Sequence, residues 1–391
     1  MLDQDHFSSY SMGQWLRSDG SGRAVRSAVS GETLGVLGRV PDVAAMRSYA
    51  ITHGGPALRA LNFHDRARMV KALALHLKAH RKALYELSFL TGATLADSQI
   101  DIDGGIGTML VYASKGRREM PEGFVLPDGD VEVLSRDGSF LGQHVLTPRQ
   151  GISLQINAFN FPVWGMLEKL APSLLAGVPT VVKPASDTGY LTQAVVRLIA
   201  DSGILPRGAL QLIMGATGDL LDRLDAQDTV GFTGSAATAM ALRSRPSLVQ
   251  NAVRFTAEQD SLNGSVLGPD VAPGSTEFDL FITEVHREMT MKAGQKCTAI
   301  RRIMVPEAHV QAVNAALSER LAATKIGHPA QRDTQMGALV SLAQREDVRE
   351  KLQLLSGECD PVFGDAQHCL VNGADAKDGA FMSPVLLHCP D

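Results

Sequence analysis

Gly294-Gln295-Lys296-Cys297-Thr298 sets a cysteine between a predicted helix and the basic pair Arg301-Arg302. The thiolate is the reactive form of cysteine, and at an ordinary pKa of about 8.5 only a few per cent is present at neutral pH. Backbone N–H groups or nearby cations raise that share. Taken alone, such a cysteine also reads as a small buried apolar residue. Glu258 lies in Phe255-Thr256-Ala257-Glu258-Gln259-Asp260-Ser261-Leu262-Asn263, just before the pattern changes near residue 260. A carboxylate there can face a cleft, where partial desolvation lifts its pKa toward the range of a general base. An exposed or capping glutamate is the other reading, and Asp260 can serve simply to fix the turn at Ser261. Asn160, in Asn157-Ala158-Phe159-Asn160-Phe161-Pro162, can donate its amide to an oxygen that becomes negative during carbonyl addition. It can equally satisfy a strand end or cap the helix that starts near Pro162 and Trp164.

These residues need elements to hold them. From Gly151 onward, extended segments at Ile152 to Ile156, Thr180 to Val182, Leu210 to Ile213 and Val230 to Phe232 alternate with helical stretches at Val163 to Leu175, Thr188 to Asp201 and Asp219 to Leu224. Strands alternating with short helices predict a parallel sheet with helices on both faces. Such a sheet binds ligands at the carboxyl ends of its strands. The polar residues fall there: Asn157 and Asn160, Lys183, the Gly215 to Gly218 turn, and Thr233-Gly234-Ser235. A second α/β pattern starts near Gly264, with Val266-Leu267 and Arg301 to Val305 extended, and Glu277 to Met291 and Val310 to Leu321 helical.

Upstream, the first forty residues read as short strands and turns, Leu58 to Leu90 as amphipathic helix, and Gly104-Gly105 as punctuation before an apolar Thr108 to Ala113. Val131 to Leu134 and Phe140 to Val145, joined through Asp137-Gly138, predict a hairpin. A hairpin standing off a domain needs something to lean on, which suggests an oligomerisation arm. The expected division is a first domain of residues 1–119 and 149–259, an arm of 120–148, and a second domain of 260–391.

The 391 residues carry 45% hydrophobic side chains and 42 acidic against 37 basic residues, a formal net charge of -5. A length of this order suits two domains, and a charge this close to balance argues against a general nucleic-acid binder. Lys115-Gly116-Arg117-Arg118 and Arg301-Arg302 read as a solvated face and a contact surface. Cys297, Cys359, Cys369 and Cys389 are too sparse for a disulfide-stapled fold and match no tight metal-binding spacing, so the economical expectation is a reducing, cytoplasmic location and no metal. Met1-Leu2-Asp3-Gln4-Asp5-His6 shows no secretory pattern, and the apolar runs fall short of the roughly 20 residues a membrane span needs.

Six segments together resemble the aldehyde dehydrogenase superfamily across nearly the whole chain: Asn157 to Pro162, Lys183-Pro184-Ala185-Ser186, Phe232-Thr233-Gly234-Ser235, Glu258 to Asn263, Gly294-Gln295-Lys296-Cys297 and Phe381-Met382-Ser383-Pro384. More narrowly, Ile156 to Pro162, Trp164 to Lys169, Asp260 to Asn263 and Met291 to Arg302 resemble the dehydrogenase portion of the bifunctional protein of phenylacetate degradation. The semialdehyde dehydrogenase of the benzoyl-CoA pathway is a close second. The resemblance implies an α/β fold: a Rossmann-like parallel-sheet cofactor domain, an α/β catalytic domain and a β-hairpin arm. It implies that Cys297 attacks an aldehyde, that Asn160 and the Cys297 N–H hold the oxyanion, and that Glu258 is the base for thioester hydrolysis. A soft nucleophile, an amide donor and a carboxylate are the chemical types this reaction requires.

Under the same resemblance Lys183 reaches the adenosine ribose, and Gly215, Gly218, Gly234 and Ser235 lie along the cofactor, with the pyrophosphate at a helix start. Many NAD-preferring relatives hold a glutamate where this chain has Ser186. A serine leaves room for a 2′-phosphate, so NADP is expected ahead of NAD. The expected substrate is a small aldehyde, a semialdehyde on a coenzyme A thioester, with neither nucleic acid nor membrane as partner and a homo-oligomer as the assembled form. Family members continue past the Pro384 region into a segment whose glutamate binds the nicotinamide ribose, and the phenylacetate protein adds a hydratase domain. The catalytic domain is therefore expected to be incomplete at its C-terminus. Two further classes stay open: a non-catalytic remnant that still binds cofactor, and a cysteine acyltransferase, which leaves Lys183 and Ser235 unexplained.

Overall fold

The computed structural model describes residues 7–390; the N-terminal hexapeptide read above for a secretory pattern lies outside them. The strands in chain order are β1 (Ser8–Ser11), β2 (Gln14–Arg17), β3 (Ala24–Arg26), β4 (Thr33–Val36), β5 (Leu126–Val133), β6 (Leu141–Leu146), β7 (Ser153–Ile156), β8 (Thr180–Lys183), β9 (Leu210–Leu212), β10 (Thr229–Gly234), β11 (Arg254–Gln259), β12 (Asn263–Val266), β13 (Ile300–Met304), β14 (Asp360–Phe363) and β15 (Leu386–His388). The helices are α1 (Val43–Tyr49), α2 (Gly55–Arg59), α3 (Phe63–Phe89), α4 (Leu95–Arg118), α5 (Trp164–Leu175), α6 (Gly189–Asp201), α7 (Ala236–Arg243), α8 (Pro246–Gln250), α9 (Thr276–Thr290), α10 (Val310–Ala322) and α11 (Leu342–Leu355).

Two compact units form. The first comprises residues 1–23, 36–81 and 101–258, and the second 24–35, 82–100 and 259–391. The last change of unit falls between Glu258 and Gln259. Residues 24–35 and 82–100, expected in the first domain, belong instead to the second unit, and 120–148 groups with the first unit. Sequence pattern marks where regular elements start but not which core a short excursion joins.

The first unit is built on a seven-stranded sheet of order β11-β10-β7-β8-β9-β1-β2. Strands β10, β7, β8 and β9 run parallel, and β1 and β2 add an antiparallel edge. Strand β7 shows why helices cover both faces. Ile152, Leu154 and Ile156 join a core with Val43 and Met46 of α1, Ala239 of α7 and Leu248 of α8. On the other face Ser173 of α5 donates to the Ser153 hydroxyl at 3.1 Å. Successive side chains of a strand point to opposite faces, and here each face meets a helical layer.

Gly104-Gly105 does not punctuate the chain; both residues lie inside α4. A Cβ on Gly104 would come within 2.6 Å of the Trp164 ring, and one on Gly105 within 2.9 Å of the Trp164 Cα. These glycines let the helix approach the start of α5. The Asp219 to Leu224 stretch forms only a 3-10 turn, Leu220–Arg223. The hairpin forms as expected, β5 antiparallel to β6, with Gly138 at φ +71° in the turn.

In the second unit β12 and β13 pair parallel, and β14 and β15 antiparallel. One core gathers Phe278, Ile282 and Val285 of α9 with Val313 and Leu317 of α10. Another gathers Ala28, Val29, Ile326, Leu339, Phe381 and Met382. Cys359 and Cys389, flanking β14 and β15, are joined as a disulfide with Cα atoms 4.5 Å apart. Spacing could not reveal it, because strand pairing brings together residues 30 apart in sequence.

Candidate active site

In the first unit, Asn160 sits in the turn between β7 and α5, and its Oδ1 accepts from the Phe161 N–H at 3.0 Å. That bond turns the amide so that the Nδ2 donors face elsewhere, the arrangement an oxyanion donor needs. The start of α5 is capped not by Asn160 but by the buried Asp101 carboxylate, which accepts from the N–H groups of Val163 at 3.2 Å and Trp164 at 2.7 Å. The sequence alternative of Asn160 as cap is thereby answered by a residue some sixty positions upstream.

Lys183 ends β8 and is half-buried. Burial, and then the Arg23 charge, push its pKa down, while Asp187 acts in the opposite sense. Ser186 lies in the turn leading to α6. Gly215, at φ +128°, and Gly218, at φ +56°, shape the turn after β9, and at Gly215 no other residue adopts that backbone without strain. Gly234 closes β10, where a Cβ would fall 2.6 Å from the Phe232 ring. Ser235 is the N-cap of α7, its Oγ accepting from Thr238 N at 3.2 Å. The N–H groups of that first turn form an anion-compatible helix start.

One step beyond the paired Ile156 and Phe232, Asn157 and Thr233 hold buried polar atoms, Oδ1 and Nδ2 of the one and Oγ1 of the other, with no hydrogen-bond partner. Buried polar groups require partners. A ligand carrying donors, acceptors and phosphate fits this edge, so the residues present are compatible with a dinucleotide.

Glu258 lies near the end of β11 and is exposed, so the burial expected for it is not found.

In the second unit, Cys297 is a partly buried thiol outside any disulfide, in a tight turn between α9 and β13. The approach to it is conformationally demanding: Lys292 and Ala293 have φ +50° and +51°, and Gly294 φ +72°. Several bonds hold this path. Asp97 accepts from Lys292 N at 2.9 Å. The Gln295 side chain donates to Lys292 O at 2.9 Å and accepts from Val340 N at 3.0 Å. Lys296 Nζ meets Glu288 Oε1 at 2.6 Å, with both side chains more than nine-tenths buried. Beyond the thiol, Asn263 Nδ2 donates to the carbonyls of Cys297 at 2.7 Å and Ala299 at 3.0 Å, and Ser261 Oγ also donates to the Cys297 carbonyl.

Asp97, Glu288, Gln295 and Lys296 thus support the candidate nucleophile. Sequence reasoning did not single them out for this work. Its one available signal was Lys296, a charged residue eight positions after Glu288 in a segment otherwise rich in buried positions. Asp260 is exposed, and the turn beside Cys297 is fixed by Ser261 and Asn263.

Among the described residues no group of three or more His, Cys, Asp or Glu side chains could hold a metal, and no helix is long and apolar enough to cross a membrane. The structure thus defines an α/β protein whose parallel sheet presents a phosphate-compatible edge and whose other unit displays a rigidly held cysteine. Residues 15–391 match the model of the aldehyde dehydrogenase family, and the chain belongs to that family. It is 44% identical over 383 residues to the 3,4-dehydroadipyl-CoA semialdehyde dehydrogenase of Aromatoleum evansii, covering 97% of this chain and 74% of that protein. It is 27% identical over 343 residues to the non-phosphorylating aspartate-semialdehyde dehydrogenase of Halomonas elongata, of which it spans 65%. Among solved structures, betaine aldehyde dehydrogenase of Staphylococcus aureus, a P449M/Y450L double mutant in complex with NAD+, superposes with a TM-score of 0.82 at 24% identity. That match covers 99% of this chain and 75% of that one, and it supports the fold.

Proposed function

We propose that this protein oxidises a semialdehyde carried on a coenzyme A thioester to the carboxylate, with NADP as hydride acceptor. The observation that carries the reading is the immobilised turn around the Cys297 thiol, together with 44% identity to a dehydrogenase named for such a substrate. In the proposed reaction the Cys297 thiolate adds to the aldehyde carbon and forms a tetrahedral thiohemiacetal. Asn160 Nδ2 and the Cys297 N–H receive its oxyanion. A nicotinamide bound along the β7–β10 edge would supply the acceptor for the hydride lost as the thiohemiacetal collapses to a thioester. Glu258 then takes a proton from water, whose oxygen attacks the thioester carbonyl and releases carboxylate and thiol.

For the cofactor, Lys183 and Ser186 are assigned to the adenosine ribose, Gly215 and Gly218 to the turn beside it, and Gly234, Ser235 and the start of α7 to the pyrophosphate. Ser186 keeps a carboxylate away from a 2′-phosphate, which favours NADP over NAD. The test is aldehyde-dependent NADP reduction by the purified chain, followed by absorbance, with Cys297→Ala as control. The proposal expects reduction in the wild type and its loss in the variant. Equal activity in both would refute it.

The β5–β6 hairpin is assigned to self-association. Val131, Val133, Phe140 and Val145 on it are exposed, and a two-stranded hairpin is marginal unless it pairs or packs with something else.

A further inference from the structure

The NADP reading rests on Ser186, which explains why a 2′-phosphate is tolerated but not what attracts it. A phosphomonoester at neutral pH carries close to two negative charges. Lys183 is a point charge at the end of β8, and nothing in the motif supplies the planar, multi-donor cation that best recognises such a group. The structure brings one in from the N-terminal segment. The Arg23 guanidinium lies 2.6 Å from Asp187 Oδ1, on the residue that follows Ser186, and its charge is felt at Lys183.

The main chain of Arg23 is fixed at this edge. Gly22 N donates to Leu37 O and Leu37 N to Arg23 O, each at 2.9 Å. A Cβ on Gly22 would fall 2.2 Å from Leu37 O, so the close approach of the two segments requires glycine there. The segment that follows Leu37 runs beside the turn after β9. A Cβ on Gly215 would sit 3.7 Å from Gly38 O, and one on Gly218 3.1 Å from Val40 Cγ1. Arg23 is therefore anchored by its backbone beside two turns of the proposed cofactor edge, while 54% of its side chain remains exposed.

We propose that Arg23 is a specificity-determining residue that reads the cofactor's 2′-phosphate. In the absence of that group Asp187 parks the guanidinium beside Ser186. An exposed pair with a single carboxylate is weak, and exchange for a dianionic phosphate is favourable. Asp187 then acts against NADP, both by competing for Arg23 and by repelling the phosphate. This inference rests on the cofactor reading above, since it assigns a residue to the group that distinguishes the two nicotinamides.

The test measures dissociation constants of NADP, NAD, adenosine 2′,5′-bisphosphate and AMP by calorimetry, on the wild type, Arg23→Gln and Asp187→Asn, with thermal melting as a folding control. Arg23→Gln is expected to weaken NADP and the bisphosphate by roughly 10- to 100-fold, the worth of a charge-assisted hydrogen bond. NAD and AMP should change less than about two-fold. Asp187→Asn is expected to tighten the two phosphorylated ligands and leave the others. If Arg23→Gln shifts all four ligands alike, or none, the assignment is wrong. A wild type that binds NAD more tightly than NADP would overturn the cofactor preference instead. The ratio shift in Arg23→Gln would still decide the role of Arg23.

Discussion

Cys297 owes its setting to side chains that never need to touch the substrate. Asn263 bonds the carbonyls on either side of Thr298, so removing it frees the turn that holds the thiol and the N–H proposed to bind the oxyanion. An error of about 1 Å in such placement can cost roughly 100-fold in rate. Asn263→Ala is expected to lower kcat far more than it raises KM, checked by steady-state kinetics. The Lys296–Glu288 pair makes a different demand. Lys296→Met leaves a buried carboxylate facing Arg287 at 3.7 Å, and breaking a buried pair from one side costs about 3–5 kcal/mol. The double change Lys296→Met with Glu288→Leu should recover most of that in chemical denaturation. The cysteines themselves should sort by reactivity. Burial pushes the Cys369 thiol up to about 11, so at pH 8 only on the order of one part in a thousand is thiolate. Cys359 and Cys389 are bonded to one another. Iodoacetamide at pH 8 should therefore label Cys297 first, as peptide mass mapping will show.

At the scale of elements, the four parallel strands and the helices α5 and α6 between three of them follow from pattern alone, because each strand repeats with period two or as an apolar run bounded by polar ends. The phosphate-compatible edge was legible for the same reason: in a parallel sheet the residues that end successive strands meet in space. What pattern could not show is what glycines do inside a helix. Gly104-Gly105 carries the composition of a break, yet both sit mid-helix where Trp164 occupies the space of their absent side chains. Gly105→Ala would drive a Cβ against backbone and should lower stability by about 1–3 kcal/mol, measurable as a drop in Tm. Gly107→Ala, two positions on in open space, should not. The supports of Cys297 were illegible for a related reason. Asp97 reaches Lys292 across 195 residues and Gln295 reaches Val340 across 45, and no local window contains such pairs.

At the scale of the whole molecule, the chain exposes a band of apolar side chains on β5 and β6 and the turn between them: Val131, Val133, Phe140, Leu141 and Val145. A hairpin of this kind is an open edge that seeks a partner. If it joins copies of the chain, Val133→Asp with Phe140→Asp should shift light-scattering mass toward the monomer while leaving Cys297 alkylation unchanged.

The proposed chemistry turns on whether Cys297 carries the substrate. Glu258→Gln should form the thioester but hydrolyse it slowly, so mixing that variant with a CoA-linked semialdehyde and NADP should trap the acyl group. Intact-mass and peptide spectrometry should find one acyl adduct per chain, on Cys297, with about one equivalent of NADPH formed in the same burst. Absence of both, or an adduct on Cys369, would contradict it.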